Sequence, residues 1–309
     1  MTELADAGAS VTVTGSGLIS FGVYGAIFVS IAWARLTSAD VTSLPLERSA
    51  TAMNGTEIPL HGGNMSSGVV RVGDTVRRPA GPWTPAVHAL LSHLHATGFR
   101  GAPRPLGLDE RGREVLTFIP GVVAWPDNVR LLDHDDKLRA VVRLIREFHD
   151  AVEGFHPPPH AVWQHLIPAE GSGIIAHHDL APWNLVIGTN QWAFIDWDSA
   201  APGSRLWDLA YALHGFVPLS ANPRYRRGDA VLRMRLVADE YGLTQGEREL
   251  LVPMLARRTR AMYDFLAQQA RDGAEPWARL WQQGHGAAWR ADTDYIAQRE
   301  DSWRRALLG

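Results

Sequence analysis

Along the chain the spacing of apolar positions changes from two to about 3.6 residues, and the change divides the molecule. From Glu57 onward the run "SGVVRVGDTVRRP" sets two short β-rich segments around Gly73-Asp74, which predicts a hairpin. Thr84-Pro85 then supplies an N-cap and a first-turn proline. Val87, Leu90, Leu91 and Leu94 follow at helical spacing, and Gly98 stops the helix. The run "RPLGLDERGREVLTFI" predicts a second hairpin turning at Glu110-Arg111-Gly112, and Pro120-Gly121 breaks the pattern as a hinge would. Beyond it the period is helical. Asp135 caps a helix whose Leu138, Val141, Val142, Ile145, Phe148 and Val152 line one face, ended by Gly154 and the prolines 157 to 159. Further helical patterns run near 204–215, 228–241, 246–269, 275–288 and 291–307. The short period returns between these helices, in Leu185-Val186-Ile187 and Trp192-Ala193-Phe194-Ile195, with a turn at 188–191. The expected architecture is α+β: a small β-rich lobe, then a larger helical one.

Composition narrows this picture. A chain of 309 residues, 46% hydrophobic, buries a sizeable core in two modest domains or one bilobal domain. The net charge of -3 and the lack of like-charge blocks give no sign of a nucleic-acid binder. Nothing in the chain points to a protein partner or sets an oligomeric state. There is no cysteine, so disulfides, thiolate zinc sites and thiol nucleophiles are excluded, in keeping with a cytoplasmic setting. Lys137 is the one lysine, so arginine carries nearly all positive charge. The first fifty residues differ from the rest. No charge occurs between Asp6 and Arg35, and "GLISFGVYGAIFVSIAWA" is just long enough to span a bilayer. Glu3 and Asp6 are wrong flanks for a secretory signal. Residues 1–52 therefore read as an extension upstream of a start at Met53 or as a single membrane anchor. Residues 53–118 read as the small lobe and 119–309 as the large one.

The candidate chemistry lies in "IIAHHDLAPWNLVIGTNQWAFIDWDSA", residues 174–200. A hairpin folded at its turn brings Asn184 and Asp196 together at its open mouth, and two oxygen side chains side by side suit a hard cation such as Mg²⁺. Asp179 stands five residues before Asn184, on the loop entering that mouth. A base that receives a hydroxyl proton, plus two metal ligands that bridge nucleotide phosphates, is the machinery of phosphoryl transfer. The spacing matches the kinase loop His-x-Asp-x-x-x-x-Asn, written here His177-His178-Asp179-Leu180-Ala181-Pro182-Trp183-Asn184.

At these residues the chain resembles the aminoglycoside phosphotransferase family, small-molecule kinases with a protein-kinase-like fold. "HHDLAPWNLVI" is similar to the family's catalytic loop, "FIDWD" to its metal strand and "RLWDLAYAL" to the helix that follows; the resemblance runs from about residue 56 to the C-terminus. It implies Asp179 as catalytic base, Asn184 and Asp196 as Mg²⁺ ligands, and Asp198 in support of metal or substrate. His177 is expected to brace the loop and His178 to contact substrate at most. Asp208 and His149 read as structural.

The small lobe should then hold ATP or GTP. "HGGNMSSGVVRV" offers Gly62, Gly63 and Gly68 with Ser66 and Ser67 between them, a loop whose backbone can approach phosphates. Thr117, Phe118 and Ile119 would present hinge backbone to the base. Kinases pair a strand lysine with a helix glutamate. Here Arg78 takes the lysine's place with Arg77 beside it, the helix has no carboxylate, and His88 stands where glutamate is expected. By this reading Arg78 is positioned by the nucleotide itself, and Arg77 faces the other way. From residue 201 onward 13 acidic residues face 16 arginines, so no acidic lobe welcomes a polycation. The expected acceptor is a hydroxyl on a small molecule. Two rivals stay open: a nucleotide-binding pseudokinase, and a metal-dependent hydrolase built on His177, His178 and Asp179.

Overall fold

The computed structural model describes residues 55–60 and 68–309. The apolar run at 17–34 and the loop residues Gly62, Gly63, Ser66 and Ser67 lie outside them. Among the described residues no helix is long and apolar enough to cross a membrane.

Five antiparallel strands form the small lobe: β1 (Ile58–Pro59), β2 (Val70–Val72), β3 (Thr75–Arg78), β4 (Pro105–Leu108) and β5 (Glu114–Thr117), in the order β1-β2-β3-β5-β4. The β2–β3 turn uses Gly73 at φ +57 and the β4–β5 turn uses Gly112 at φ +71, left-handed conformations that glycine enters without a Cβ clash. Because β5 lies between β4 and β3, Arg78 stands directly opposite Glu114. Helix α1 (Thr84–Ala96) buries Val87, Leu90, Leu91 and Leu94.

The large lobe opens with β6 (Val122–Val123) and α2 (Asp135–Ala151), followed by β7 (Ile174–Ala176), β8 (Leu185–Ile187), β9 (Trp192–Phe194) and β10 (Ala201–Gly203). The β8–β9 hairpin forms with Leu185 opposite Phe194 and takes β6 as a third strand, while β7 pairs with β10. Gly188, in the turn, packs against the carbonyl of Pro120, an approach that a Cβ would block. A second apolar cluster of Leu60, Val69, Val76, Ile119, Val123, Val186, Ala193 and Ile195 bridges the two lobes along this seam.

Helices α3 (Arg205–Phe216), α4 (Ala230–Tyr241), α5 (Gln245–Arg271), α6 (Trp277–Gln282), α7 (His285–Ala297) and α8 (Glu300–Leu308) complete the lobe. Helix α5 starts with a reciprocal Thr244–Glu247 capping box. The two helices expected over 275–288 and 291–307 are three. Gly284 at φ +92 parts α6 from α7, and Arg299 interrupts before α8. Apolar periodicity ran across both breaks because α6, α7 and α8 all pack against α5 and each contributes to one continuous face. The core holds Phe148, Trp197, Tyr211, Trp289 and Trp303.

Candidate active site

The loop after β7 is held from below by one carboxylate. Asp208, in the first turn of α3, accepts the backbone N–H of His177 at 2.9 Å on Oδ2 and that of His178 at 2.8 Å on Oδ1. The Nε2 of His149 meets Oδ2 at 3.2 Å, and its Nδ1 meets the Tyr241 hydroxyl at 2.7 Å. Burial alone would push Asp208 up, but the hydrogen bond to His149 and the surrounding imidazoles hold it down at about 2. His178 takes φ +65, a conformation that costs a non-glycine residue about 1–3 kcal/mol and persists only when its surroundings enforce it. Arg258 of α5 adds to that enforcement by donating Nη2 to the His178 carbonyl at 2.9 Å.

The two histidine rings do not converge. The Nε2 of His177 faces the Ile195 carbonyl at 3.2 Å while its Nδ1 accepts the Asp179 N–H at 3.2 Å. That pattern needs a neutral ring, and burial lowers the His177 pKa to about 4. The Nε2 of His178 faces the Ala201 carbonyl at 3.2 Å. Both rings thus brace backbone, and among the described residues no group of three His, Asp or Glu side chains is gathered around a metal position.

Asp179 is buried. Its carboxylate receives Asn184 Nδ2 at 2.6 Å and Trp183 Nε1 at 3.3 and 3.4 Å, and the Tyr211 hydroxyl of α3 stands near enough to act on its charge. Burial and the negative charge of Asp196 push its pKa well above the usual carboxylate range, and those three groups only partly oppose the rise. At the hairpin mouth the Ile195 N–H donates to the Asn184 carbonyl at 2.9 Å, which sets Asp196 one residue beyond that pairing. Asp196 stands at φ +62, another enforced left-handed residue.

Arg78 enters this cluster from the small lobe. Its Nε lies 3.2 Å from Glu114 Oε2, its Nη1 3.3 Å from Asp196 Oδ1, and its Nη2 contacts Asp198 Oδ2. Arg77 points the other way, to Asp109 at 3.5 Å. The expectation that Arg78 has only a nucleotide to position it is corrected here: its carboxylate partner comes from the neighbouring strand. His88 of α1 does not replace that carboxylate but reaches it, with Nε2 2.9 Å from Glu114 Oε1. One guanidinium among three carboxylates leaves surplus negative charge. Burial, with Glu114 adding to it and Arg78 opposing it, raises Asp196 to about 7. The Oδ2 of Asp196 is buried and has no hydrogen-bond partner among the described residues. An unpartnered carboxylate oxygen in an over-negative pocket fits a hard divalent cation.

A model of the phosphotransferase enzyme family matches residues 159–246, the segment that carries this loop and hairpin. The trifolitoxin immunity protein of Rhizobium leguminosarum bv. trifolii is 34% identical over 254 residues, covering 75% of this chain and 94% of that one. The chain belongs to the phosphotransferase enzyme family. Its fold is that of solved small-molecule kinases. A choline/ethanolamine kinase family protein from Mesorhizobium loti superposes with TM-score 0.56 at 15% identity, covering 82% of this chain and 94% of that one. The GDP complex of aminoglycoside 2'-phosphotransferase-IIIa gives 0.52 at 15% identity, with 77% and 92% covered. A microcompartment-associated aminopropanol kinase gives 0.53 at 14% identity, with 76% and 89% covered.

Other expected positions of this phosphotransferase are less available. At the hinge, the Thr117 N–H donates to the Arg104 carbonyl and the Phe118 N–H to the Asp74 carbonyl, at 2.9 and 2.8 Å, so both N–H groups are engaged. The sequence reading passed over Glu114, Tyr211 and Arg258. The register opposite Arg78 would have singled out Glu114. Tyr211 lies three residues after Asp208 on the same helix face, one turn away. Arg258 is buried with its guanidinium 4.2 Å from the Tyr211 ring centroid, and no local pattern marks it.

Proposed function

We propose that this member of the family moves the terminal phosphate of ATP or GTP onto a hydroxyl of a small molecule. Asp179 acts as base, and Asn184 and Asp196 hold Mg²⁺. The observation that carries the reading is the buried, connected set of Asp179, Asn184, Asp196 and Arg78, drawn from both lobes around one seam. A carboxylate whose proton affinity is raised by burial and by a neighbouring charge is a stronger base than an exposed one. The acceptor hydroxyl gives its proton to Asp179, its oxygen bonds to the phosphorus, and the nucleoside diphosphate leaves with the bridging oxygen. Bound Mg²⁺ would draw charge off the phosphates during transfer. Arg78 supplies the positive charge that a lysine supplies in other kinases, and the apolar seam around Ile119 and Val123 suits a purine. ATP or GTP as donor places the reaction on the cytoplasmic side, with residues 53–118 as nucleotide lobe and 119–309 as catalytic lobe.

The Arg78–Glu114 pair speaks against the pseudokinase alternative, since an ion pair is present where its loss would have argued against turnover. The separate engagements of His177 and His178 speak against the hydrolase. One observation favours a particular kind of acceptor: the relative at 34% identity is an immunity protein, so a toxin is a candidate acceptor beside hydroxylated metabolites. The test is to incubate purified protein with Mg²⁺ and γ-labelled ATP or GTP, against hydroxylated metabolites, aminoglycosides and trifolitoxin. Label appearing in an acceptor, and lost with Asp179→Asn, supports the reading. Nucleotide binding without transfer to any acceptor points to the pseudokinase.

A further inference from the structure

The three nitrogens of the Arg78 guanidinium go to three different carboxylates, and those carboxylates have different tasks. Nε faces Glu114, which belongs to the same sheet, while Nη1 and Nη2 face Asp196 and Asp198 on the segment that leaves the β8–β9 hairpin. Resting on the phosphotransferase reading, we propose that Glu114 and His88 are positioning residues that hold Arg78 by its Nε end, and that the other two nitrogens exchange Asp196 and Asp198 for nucleotide phosphates. Arg78 is therefore a resident cation on the metal carboxylates until nucleotide arrives.

The geometry separates an anchor from an exchangeable end. Glu114 is fixed by strand register, directly opposite Arg78, and its second oxygen is held by His88 at 2.9 Å. Asp196 Oδ1, by contrast, faces Arg78 while its Oδ2 is the oxygen open to a cation, so guanidinium and metal compete for the charge of one carboxylate. A metal arriving alone sets a second positive charge against the buried guanidinium and draws Asp196 away from it. Taking one partner from a buried charge is unfavourable. When phosphates take up the two terminal nitrogens, that cost disappears. Metal affinity in the absence of nucleotide is thus held down by Arg78, and Arg78 is held for the phosphates by Glu114.

The experiment measures binding of Mn²⁺ alone, by the paramagnetic signal of the free ion, together with nucleotide KM and kcat. Arg78→Met should tighten Mn²⁺ binding about 5- to 150-fold, the usual range of coupling between sites. Glu114→Gln should move it the opposite way, because Arg78 then depends wholly on the aspartates, and should raise nucleotide KM more than it lowers kcat. His88→Ala should follow Glu114→Gln with smaller amplitude, and His88→Gln should recover part of the loss. Opposite signs for the first two variants support the proposal. A fall in melting temperature with Mn²⁺ binding unmoved in both would show a purely structural cluster and overturn it. If Arg78→Met does not fold, the Glu114→Gln result decides: weaker Mn²⁺ binding with raised nucleotide KM supports the exchange, and any other result overturns it. Wild-type protein that binds neither Mn²⁺ nor nucleotide would instead overturn the phosphotransferase reading.

Discussion

The two halves of the site are assembled in opposite ways. The large-lobe half comes from one stretch, with Asp179, Asn184 and Asp196 inside eighteen consecutive residues, and it is gripped from beneath by Asp208. The small-lobe half comes from three separate elements, β3, α1 and β5, which contribute Arg78, His88 and Glu114. A contiguous half is built by local turns and fails as a unit. An assembled half depends on strand pairing and can be weakened in steps. Substitutions should reveal that difference.

Asp179→Asn removes the proposed base, and we expect transfer to fall by about 10²- to 10⁴-fold with Mg-nucleotide affinity little changed. Rapid-quench turnover beside equilibrium nucleotide binding measures both. Full turnover in the purified variant would break the assignment.

Asp208→Ala tests whether the contiguous half fails as a unit. It leaves two buried N–H groups and His149 without their acceptor, so we expect a stability loss of about 3–5 kcal/mol and loss of activity together. Denaturant melts and activity should fall in parallel. A stable but inactive variant would mean that the loop is held elsewhere.

Arg78→Ala and Arg77→Ala sharpen the account of the assembled half. The first should impair nucleotide affinity or turnover by tenfold or more, about 1.4 kcal/mol, while the second leaves both near wild type because Arg77 faces Asp109. Steady-state kinetics on the pair decides, and the reverse ranking would put the wrong face of β3 in the cleft.

The last test concerns pH. Burial holds His177 at about 4 against an ordinary value of 6.5, so the unfolded chain binds the extra proton first. Its contribution to stability is complete above about 6.5 and is lost as pH falls toward about 4, by at most about 1.4 kcal/mol per unit. Melting curves of wild type and His177→Gln across that window should converge at the acid end.

How much of this was readable beforehand follows the same division. The loop and hairpin could be read because their geometry is set within a few residues: a turn at 188–191 brings Asn184 to Asp196 whatever the rest of the chain does. Helix α1, helix α2 and both small-lobe hairpins announced themselves through apolar periodicity and turn glycines, although Thr84 and Asp135, expected as caps, are the first helical residues and the N-caps are Trp83 and His134. Glu114 did not, because its meeting with Arg78 depends on β5 inserting between β4 and β3, a pairing that no local pattern encodes. Tyr211 and Arg258 were hidden for a related reason. Their roles come from helices α3 and α5 crossing beneath the loop, and periodicity tells which face is buried but not what it touches. The third C-terminal helix was lost when a continuous apolar face masked the turn at Gly284.

The strand position of Glu114 has a consequence for control. Protein kinases that keep this glutamate on a mobile helix can be turned off by swinging the helix away. Here the carboxylate and the arginine sit across from one another in adjacent strands, and only a histidine is contributed by the helix. Displacing α1 would remove the brace on Glu114 and leave the pair itself closed. A swing of that helix would therefore weaken the support of Glu114 in a graded way and not open the ion pair.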